Sequence, residues 1–315
     1  MKKVLTFSFL LLMLSGLISE NNLKSENNRT DNTCKYQLVW EDNFDKETLD
    51  ETNNWFIVIN GKGGGNRELQ YYKRDNISVG KEPVSGNHCL IITAKKENYK
   101  FKKATSGRIS TQNKMSFRYG KVEARIKLPK TENGLWPAFW MLGNNYPKTI
   151  WPKCGEIDIM EMGSATGIET FTQERYFNGT CHWGEKFNHG AYPNYTNAVI
   201  NQYPLQDDFH LYTLIWNKNS IKMYLDMDKY PDTTPYFEMA IDGENVPDEP
   251  ARYFHNDFFL IFNLAVGGNF TGIRNIKDVT ALKRKEAKMY VDYVRLYQEK
   301  SDEEVFNWNQ GGLNR

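Results

Sequence analysis

Cys154-Gly-Glu-Ile-Asp-Ile-Met-Glu-Met162 is a run in which three carboxylates alternate with apolar, largely β-branched residues. Such alternation predicts a β-strand with one face buried and the other lined with acid. Carboxylates desolvated side by side raise one another's pKa, which a fold tolerates mainly where one acid must keep its proton and another must lose it. The run therefore predicts a strand that carries a candidate catalytic centre at Glu156, Asp158 and Glu161.

The spacing of these acids requires an irregularity in the strand. Strict alternation puts Glu156 and Asp158 on one face and sends Glu161 to the other. One extra residue, a β-bulge around Ile159 and Met160, returns Glu161 to the first face, and bulges are over-represented beside active sites. We therefore predict a bulge at these two residues.

The acidic spacing alone is weak evidence for catalysis. Asp45, Glu47 and Asp50 have the same spacing but lie among mostly polar residues, so they are interpreted as a solvated turn. With 39 acidic residues in the chain, the pattern also arises by chance. The apolar residues between the acids of the 154–162 run are what favour the catalytic interpretation there.

Charge and length restrict the class of protein. The 315 residues are enough for one substantial core, and 40 basic against 39 acidic residues give a net charge of +1. This balance argues against a nucleic-acid groove or an anionic membrane surface as the main partner. We expect a monomer that acts on a neutral substrate, with neither nucleic acid nor membrane as a partner.

The N-terminus has the pattern of an export signal. Met1-Lys2-Lys3 precedes an apolar run, Val4 to Ile18, which is too short to span a bilayer. A cleaved signal peptide, and hence a secreted, extracellular protein, is predicted, with an uncleaved anchor as the alternative. The predicted segments are a signal peptide at 1–19, a flexible polar leader at 20–33, a catalytic domain at 34–298 and a polar C-terminal tail that frays at 299–315.

Between residues 36 and 298 the chain consists of many short alternating segments separated by Gly, Asn and Pro. Helical periodicity is found in one short stretch, Val279–Lys288. This pattern is typical of an all-β sandwich or jelly roll.

The cysteines suggest disulfides and argue against a zinc site. Cys34, Cys89, Cys154 and Cys181 allow up to two bridges in an oxidising compartment, and three pairings are open. A bridge between Cys154 and Cys181, which flank the acidic strand, is one of them. No C-x-x-C or H-x-x-x-H spacing is present, so zinc is not expected.

Aromatic residues cluster near the acidic run. Trp136-Pro-Ala-Phe-Trp140 places two indoles four residues apart, and Trp151 lies just before the run. A single Trp is as readily a core residue, but several beside carboxylates favour sugar rings stacked on indole faces. The polar residues that could fix sugar hydroxyls, each alone interpretable as a surface or capping residue, are Asn66, Glu68, Gln70, Tyr71, Arg108, His182 and Asn263.

Six collinear blocks resemble one known family. They are Glu68-Leu-Gln-Tyr-Tyr, Trp136-Pro-Ala-Phe-Trp-Met-Leu, Cys154-Gly-Glu-Ile-Asp-Ile-Met-Glu, Thr180-Cys-His-Trp-Gly, Asn263-Leu-Ala-Val-Gly-Gly-Asn-Phe and Tyr290-Val-Asp-Tyr-Val-Arg-Leu-Tyr. Together they are similar to glycoside hydrolase family 16, in particular its laminarinase-type endo-β-1,3-glucanases, over about residues 36 to 298.

The resemblance implies a β-jelly roll sandwich of two curved antiparallel sheets with a concave substrate cleft. It implies a secreted, retaining endo-hydrolase of β-1,3-glucan, laminarin-like or mixed β-1,3/1,4-linked, that requires no cofactor for catalysis. By position, Glu156 would be the nucleophile, Glu161 the general acid/base and Asp158 the carboxylate that assists both. Retaining hydrolysis needs two carboxyl groups roughly 5–5.5 Å apart, which same-face neighbours on a strand can reach.

The resemblance also implies binding residues. Those that would line the sugar subsites are Trp136, Trp140, Trp151, His182, Asn66, Arg108 and Asn263. A structural Ca²⁺ far from the chemistry would be held by the Asp292 side chain and the carbonyls of Glu41 and Gly86. The alternative is an Asp292 satisfied by local amides.

Departures from the family pattern leave other functions open. The segment Ile168–Asn178 and Cys181 match no family pattern, so subsite shape and length preference stay undetermined. A non-catalytic β-1,3-glucan-binding protein is one alternative, although such relatives characteristically lack catalytic carboxylates that this chain keeps. An agarase or carrageenase on the same fold is the other, and the blocks at Glu68 and Asn263 favour glucan over it.

Overall fold

Alternating apolar and polar residues build most of the regular structure in the computed structural model, which describes residues 36–186, 191–301 and 303–309. The strands are β1 (Gln37–Asp42), β2 (Phe56–Ile57), β3 (Gln70–Tyr72), β4 (Ile77–Lys81), β5 (His88–Lys95), β6 (Ala104–Ser106), β7 (Arg108–Ser110), β8 (Met115–Arg118), β9 (Gly120–Lys127), β10 (Leu135–Gly143), β11 (Glu156–Met162), β12 (Tyr176–His182), β13 (Asn194–Ile200), β14 (His210–Trp216), β15 (Ser220–Leu225), β16 (Phe237–Ala240), β17 (Phe258–Val266), β18 (Glu286–Gln298) and β19 (Val305–Trp308). The helical elements in the described ranges are the short helix α1 (Ala165–Glu169) and the 3-10 turns Gly63–Gly65, Arg74–Asn76, Pro250–Arg252, Ile276–Asp278 and Thr280–Leu282.

The strands form two sheets. One has ten strands, ordered β16-β15-β14-β9-β18-β5-β6-β3, with β1 beside β18 and β4 beside β5. The other has nine, ordered β13-β12-β11-β10-β17-β7-β2, with β8 beside β17 and β19 beside β8. The pairings are antiparallel except for β3 with β6. The predicted jelly-roll sandwich is confirmed, with one parallel pair that the sequence did not indicate.

The core fills the space between the sheets. At its centre the rings of Phe139 on β10 and Phe262 on β17 stack with centroids 4.6 Å apart, and Trp55 lies 5.9 Å from Phe262. Truncating such a buried ring to Ala costs about 3–5 kcal/mol. The same two strands turn other side chains, among them Trp140 and Asn263, to the outer face of the nine-stranded sheet, which we call the cleft face after the predicted cleft.

The predicted helix at Val279–Lys288 is wrong. Thr280–Leu282 forms a single 3-10 turn, and β18 begins at Glu286. Glu286 pairs with Lys95 of β5 at the start of the strand. Tertiary pairing therefore overrides the weak local helical pattern.

The C-terminal tail is ordered further than predicted. Val305–Trp308 forms β19, which pairs with β8, and Phe306 packs against the main core. The expectation that the chain frays from residue 299 is therefore wrong for this part, because Val305 and Phe306 supply apolar surface within a polar segment. Residues 310–315 lie outside the described part.

The N-terminal predictions are untested. Residues 1–35 lie outside the described part, so the signal peptide and the polar leader stay predictions. Among the residues that the structure describes, none of the helices has the length and hydrophobicity needed to span a bilayer.

The disulfide considered between Cys154 and Cys181 is absent. Both are buried free thiols, as is Cys89. Cys181 belongs to the main core, whereas Cys154 packs in a separate cluster with Leu142 and Phe259. The two thiols therefore lie on opposite faces of the nine-stranded sheet and cannot meet. Cys34 lies outside the described residues.

Candidate active site

The acidic strand β11 contains the predicted bulge. Asp158 lies opposite Thr180 of β12, and Glu161 lies opposite Asn178, with a register shift between these pairs. Three residues along β11, from 158 to 161, therefore pair with two residues along β12, from 180 to 178. Ile159 has no partner residue in either neighbouring strand. The bulge at Ile159 and Met160 is confirmed.

The bulge determines which side chains of β11 face the core and which face the cleft. The side chains that face the core, each fully buried, are those of Ile157, Ile159, Met160 and Met162. Glu156, Asp158 and Glu161 lie on the cleft face, where Glu156 keeps 18% of its side chain exposed. Asp158 and Glu161 are buried. The three acids therefore share one face, as the spacing requires.

Two hydrogen bonds hold the Glu161 carboxylate. Trp136 of β10 donates from Nε1 to Oε1 at 3.0 Å, and Asn178 of β12 donates from Nδ2 to Oε2 at 3.0 Å. Burial raises the pKa of Glu161 above its ordinary value, while His182 and these two donors act against that rise. The two donors therefore fix the orientation of both Glu161 oxygens. The raised pKa favours the protonated carboxyl group.

Glu156 and Asp158 lie beside the imidazole of His182. His182 Nε2 is 3.3 Å from Asp158 Oδ2 and 3.9 Å from Glu156 Oε1. Burial and the neighbouring Asp158 raise the pKa of Glu156 to about 8, and burial and Glu161 raise the pKa of Asp158 well above its ordinary value. The cluster therefore holds fewer than three negative charges at neutral pH, because desolvated acids share protons.

Ligand atoms of Glu156, Asp158 and His182 lie within 4.8 Å of one another. By spacing alone they could hold a metal ion. The same spacing is also expected of acids that share protons, because the imidazole of His182 offsets part of their negative charge.

Trp136 and Trp151 lie on opposite sides of the acids. Trp136 stacks on Phe270 with centroids 4.6 Å apart and is buried, so its main contact with the centre is the hydrogen bond to Glu161. Trp151 is half-buried and meets Tyr192 edge-on at 4.6 Å and His182 at 6.1 Å. Trp151 and Tyr192 therefore form an aromatic surface beside the imidazole of His182.

Trp140, Asn263 and Arg108 form one group on the cleft face. Trp140 Nε1 donates to Asn263 Oδ1 at 2.7 Å, and Arg108 lies directly opposite Asn263 in the pairing of β7 with β17. The guanidinium of Arg108 lies 4.7 Å from the centroid of the Trp140 ring, a cation–π contact. Trp140 is itself opposite Asp158, which places this group next to the acids.

Asn66 lies apart from the carboxylates, in the loop before β3. Its carbonyl accepts a hydrogen bond from the Asn269 backbone at 2.7 Å, and Asn269 precedes the Phe270 ring that stacks on Trp136. The structure therefore places Asn66 at the rim of the cleft face and not in the acidic cluster.

The side chain of Asp292, a predicted calcium ligand, has protein partners in the structure. Asp292 accepts hydrogen bonds from Arg125 at 2.5 Å and Asn87 at 3.2 Å, so a guanidinium already faces the carboxylate. Gly86 adjoins Asn87 in this loop, but Glu41 lies opposite Arg295 in the pairing of β1 with β18. The calcium ion and its ligand set, Asp292 with the carbonyls of Glu41 and Gly86, stay predictions.

Sequence reasoning missed three residues of the site: Asn178, Tyr192 and Phe270. Asn178 could have been found by counting back in steps of two from His182 along β12, since alternate residues share a face. The ring contacts of Tyr192 and Phe270 depend on loop conformations that no local pattern indicates.

Comparisons with known proteins identify the family of the chain. The sequence profile described as "Glycosyl hydrolases family 16" matches residues 72–255, which include β11 and its bulge. The chain belongs to glycoside hydrolase family 16. The resemblance inferred from the six blocks is therefore confirmed.

Three similar proteins illustrate the match. The chain is 38% identical, over 85% of its own length, to the clotting factor G alpha subunit of Tachypleus tridentatus, but spans 35% of that protein. It is 38% identical to the mixed linkage glucan PUL GH16 of Bacteroides ovatus in complex with the G4G4G3G product, with a TM-score of 0.71 over 82% of this chain and 100% of that one. It is 33% identical to the laminarinase catalytic domain of Thermotoga maritima, with a TM-score of 0.69 over 85% of this chain and 100% of that one.

Proposed function

We propose that this family 16 glycoside hydrolase is a secreted, retaining endo-hydrolase of β-1,3-glucan. The observation that carries the proposal is the bulge that brings Glu156, Asp158 and Glu161 onto one face of β11. Two carboxyl groups on one face of a sugar cleft are what double displacement requires. The predicted segment boundaries and the predicted export of the protein are also part of this proposal.

In the first step, Glu156 attacks the anomeric carbon while Glu161 donates its proton to the departing glycosidic oxygen. The glycosidic bond breaks, and an ester forms between the sugar and Glu156. Glu156 suits attack because it is the most exposed of the three acids, and the nearest charged partner of its carboxylate, His182 Nε2, lies 3.9 Å away. Glu161 suits proton transfer because Trp136 and Asn178 fix both its oxygens.

In the second step, Glu161 takes a proton from water, which attacks the anomeric carbon and releases Glu156. Two inversions give net retention of the anomeric configuration. Asp158 lies between the two glutamates and shares their proton, so the cluster can pass from one protonation state to the other without adding a buried charge. This assigns Asp158 the assisting role.

The glucan specificity is supported by the named relatives. One of the two solved structures is called a laminarinase, and the other holds a G4G4G3G product of a mixed linkage glucan enzyme. The half-buried Trp151 and the group formed by Trp140, Arg108 and Asn263 offer indole faces and polar groups to sugar rings. We propose β-1,3-glucan as the main substrate and mixed β-1,3/1,4-glucan as a second one.

A test of the proposal measures reducing ends released from laminarin, lichenan, agarose and carrageenan. Wild-type protein should act on laminarin and more weakly on lichenan, and Glu156→Gln should lose at least about 10³-fold in kcat/KM. Glu244→Gln, which changes an exposed acid in the loop after β16, is the matched control. Binding to laminarin without release of reducing ends would favour a non-catalytic glucan-binding protein. Release of reducing ends from agarose or carrageenan alone would favour an agarase or carrageenase.

Anomeric configuration needs its own measurement. Proton NMR during the first minutes of laminarin hydrolysis should show the β-anomer of the new reducing end before mutarotation. Initial formation of the α-anomer would mean inversion and would exclude Glu156 as a nucleophile.

The structural calcium has a separate test. If an ion is bound, EDTA should lower Tm and added CaCl₂ should restore it. An unchanged Tm would indicate that Arg125 and Asn87 alone satisfy Asp292.

A further inference from the structure

The bulged residue Ile159 is held from the opposite sheet. Ile159 is fully buried and lies opposite no residue of β10 or β12. The hydroxyl of Tyr236 donates a buried hydrogen bond to its carbonyl oxygen. The extra residue of a bulge interrupts the ladder locally, so a bond from outside the sheet compensates at that point.

Tyr236 is fixed in position by three further contacts. Its backbone N–H donates to the Met223 carbonyl of β15 at 2.8 Å, and its carbonyl accepts from the Asn197 side chain of β13 at 2.6 Å. Its ring meets Phe177 of β12 edge-on with centroids 4.9 Å apart. The phenol is thus anchored to both sheets before it reaches the bulge.

Gly179 leaves the room that the tyrosine ring needs. It lies between Asn178 and Thr180, directly across from the bulge. A Cβ on Gly179 would lie 3.2 Å from Cε2 of Tyr236 and 2.5 Å from the sulfur of Met223. The absence of a side chain at this position therefore allows the ring to approach β11.

The hydroxyl is a dependable donor. Burial raises the pKa of Tyr236 well above its ordinary value, so the phenol keeps its proton throughout the range in which the carboxylates titrate.

We propose that Tyr236 is a positioning residue that fixes the bulge and thereby keeps Glu161 on the face of Glu156 and Asp158. A change of register by one residue sends every following side chain to the other face. Without the bulge, Met160 would take the cleft position and Glu161 would point into the core. The inference rests on the proposed function, since it assigns Tyr236 to the placement of the general acid/base.

The test compares two tyrosine variants and two substrates. Tyr236→Phe removes the hydroxyl that reaches Ile159. Tyr212→Phe is the matched control, because its hydroxyl is buried without a hydrogen-bond partner in the described structure and its ring also contacts Phe177. The substrates are a laminari-oligosaccharide, whose alcohol leaving group needs protonation, and dinitrophenyl β-laminaribioside, whose leaving group does not.

If Tyr236 positions Glu161, kcat/KM of Tyr236→Phe on the oligosaccharide should fall roughly ten- to a hundredfold, with little change on the dinitrophenyl substrate. Tyr212→Phe should match wild type on both. An equal fall on both substrates would indicate general destabilisation and would overturn the inference, as would unchanged activity on both.

Two further measurements cover the remaining outcomes. If Tyr236→Phe does not fold, Gly179→Ala, whose new methyl presses on the same ring, should show the same difference between substrates; an equal effect on both would overturn the inference. If wild type is inactive on both substrates, the proposed function fails. A crystal structure of Tyr236→Phe then tests the inference, and an unchanged bulge would overturn it.

Discussion

The indole of Trp136 donates a hydrogen bond from Nε1 to Oε1 of Glu161 over 3.0 Å. Asn178 binds the other oxygen, so the candidate acid/base is oriented before any substrate arrives. Such preorganisation costs no rearrangement at the moment of reaction. Trp136, which the sequence suggests as a surface for stacking sugar rings, therefore also binds the candidate acid/base directly.

Trp136→Phe should reduce kcat/KM on laminarin by about tenfold, the equivalent of one hydrogen bond to a charged group. Because the indole N–H acts to lower the pKa of Glu161, its removal should raise that pKa further. The basic limb of the pH–rate profile, where the acid loses its proton, should then move to higher pH. Trp308→Phe, at the exposed end of β19, is the control, and an unshifted basic limb would contradict the assignment.

Asp158→Asn should move the acidic limb of the pH–rate profile for laminarin hydrolysis to lower pH. The charge of Asp158 contributes to the raised pKa of Glu156, so its removal should lower that pKa. A nucleophile must be ionised, and it would then ionise at lower pH. The profile of kcat/KM between about pH 3 and pH 9 checks this. An acidic limb that stays in place or moves upward would show that Glu156 is not the group being titrated.

Glu156→Gln should stabilise the fold in a pH-dependent way. The folded-state pKa of about 8 lies above the ordinary value of 4.5, so wild type loses stability as the pH rises from 4.5 to 8. The glutamine variant lacks this loss and should be the more stable by on the order of 4 kcal/mol at pH 8, or roughly 8 °C in Tm. Thermal melts at both ends of the range measure it, with Glu244→Gln as control. A variant that is less stable than wild type at pH 8 would contradict the placement of Glu156 in a desolvated cluster.

Much of this site follows from sequence because it depends on alternation. The interrupted alternation of Glu156, Asp158 and Glu161 predicts both the shared face and the bulge, and the structure contains both. The same spacing at Asp45, Glu47 and Asp50 lies in irregular chain around a bend at 46–48, as the mostly polar residues between them indicate. Alternation is a local property of a strand, so local sequence is sufficient to predict it.

Features that depend on distant contacts were not predictable. Tyr236 reaches Ile159 across 77 positions in the chain, and β18 replaces the expected helix near Val279 through its pairing with β5. The Cys154–Cys181 disulfide was wrong because the two thiols occupy opposite faces of the sheet. These outcomes depend on how the sheets are paired and stacked, which no short motif specifies.

The three described cysteines should react as thiols. Burial raises the pKa of Cys154 and Cys89 to about 12, so both should resist alkylation in the folded protein at neutral pH. After unfolding without a reductant, mass spectrometry should find Cys89, Cys154 and Cys181 all alkylated. A peptide pair linked through Cys154 and Cys181 would contradict the packing described for β12.

Double displacement requires Glu156 to form a covalent bond to the sugar. The most direct test is incubation with dinitrophenyl β-laminaribioside fluorinated at the carbon next to the anomeric centre, which slows release of the intermediate, followed by peptide mass spectrometry. The sugar should be found on the peptide that contains 154–162, with fragmentation placing it on Glu156. A label on Glu161 or Asp158, or hydrolysis of this substrate without any labelled peptide, would contradict the double-displacement mechanism proposed for this chain.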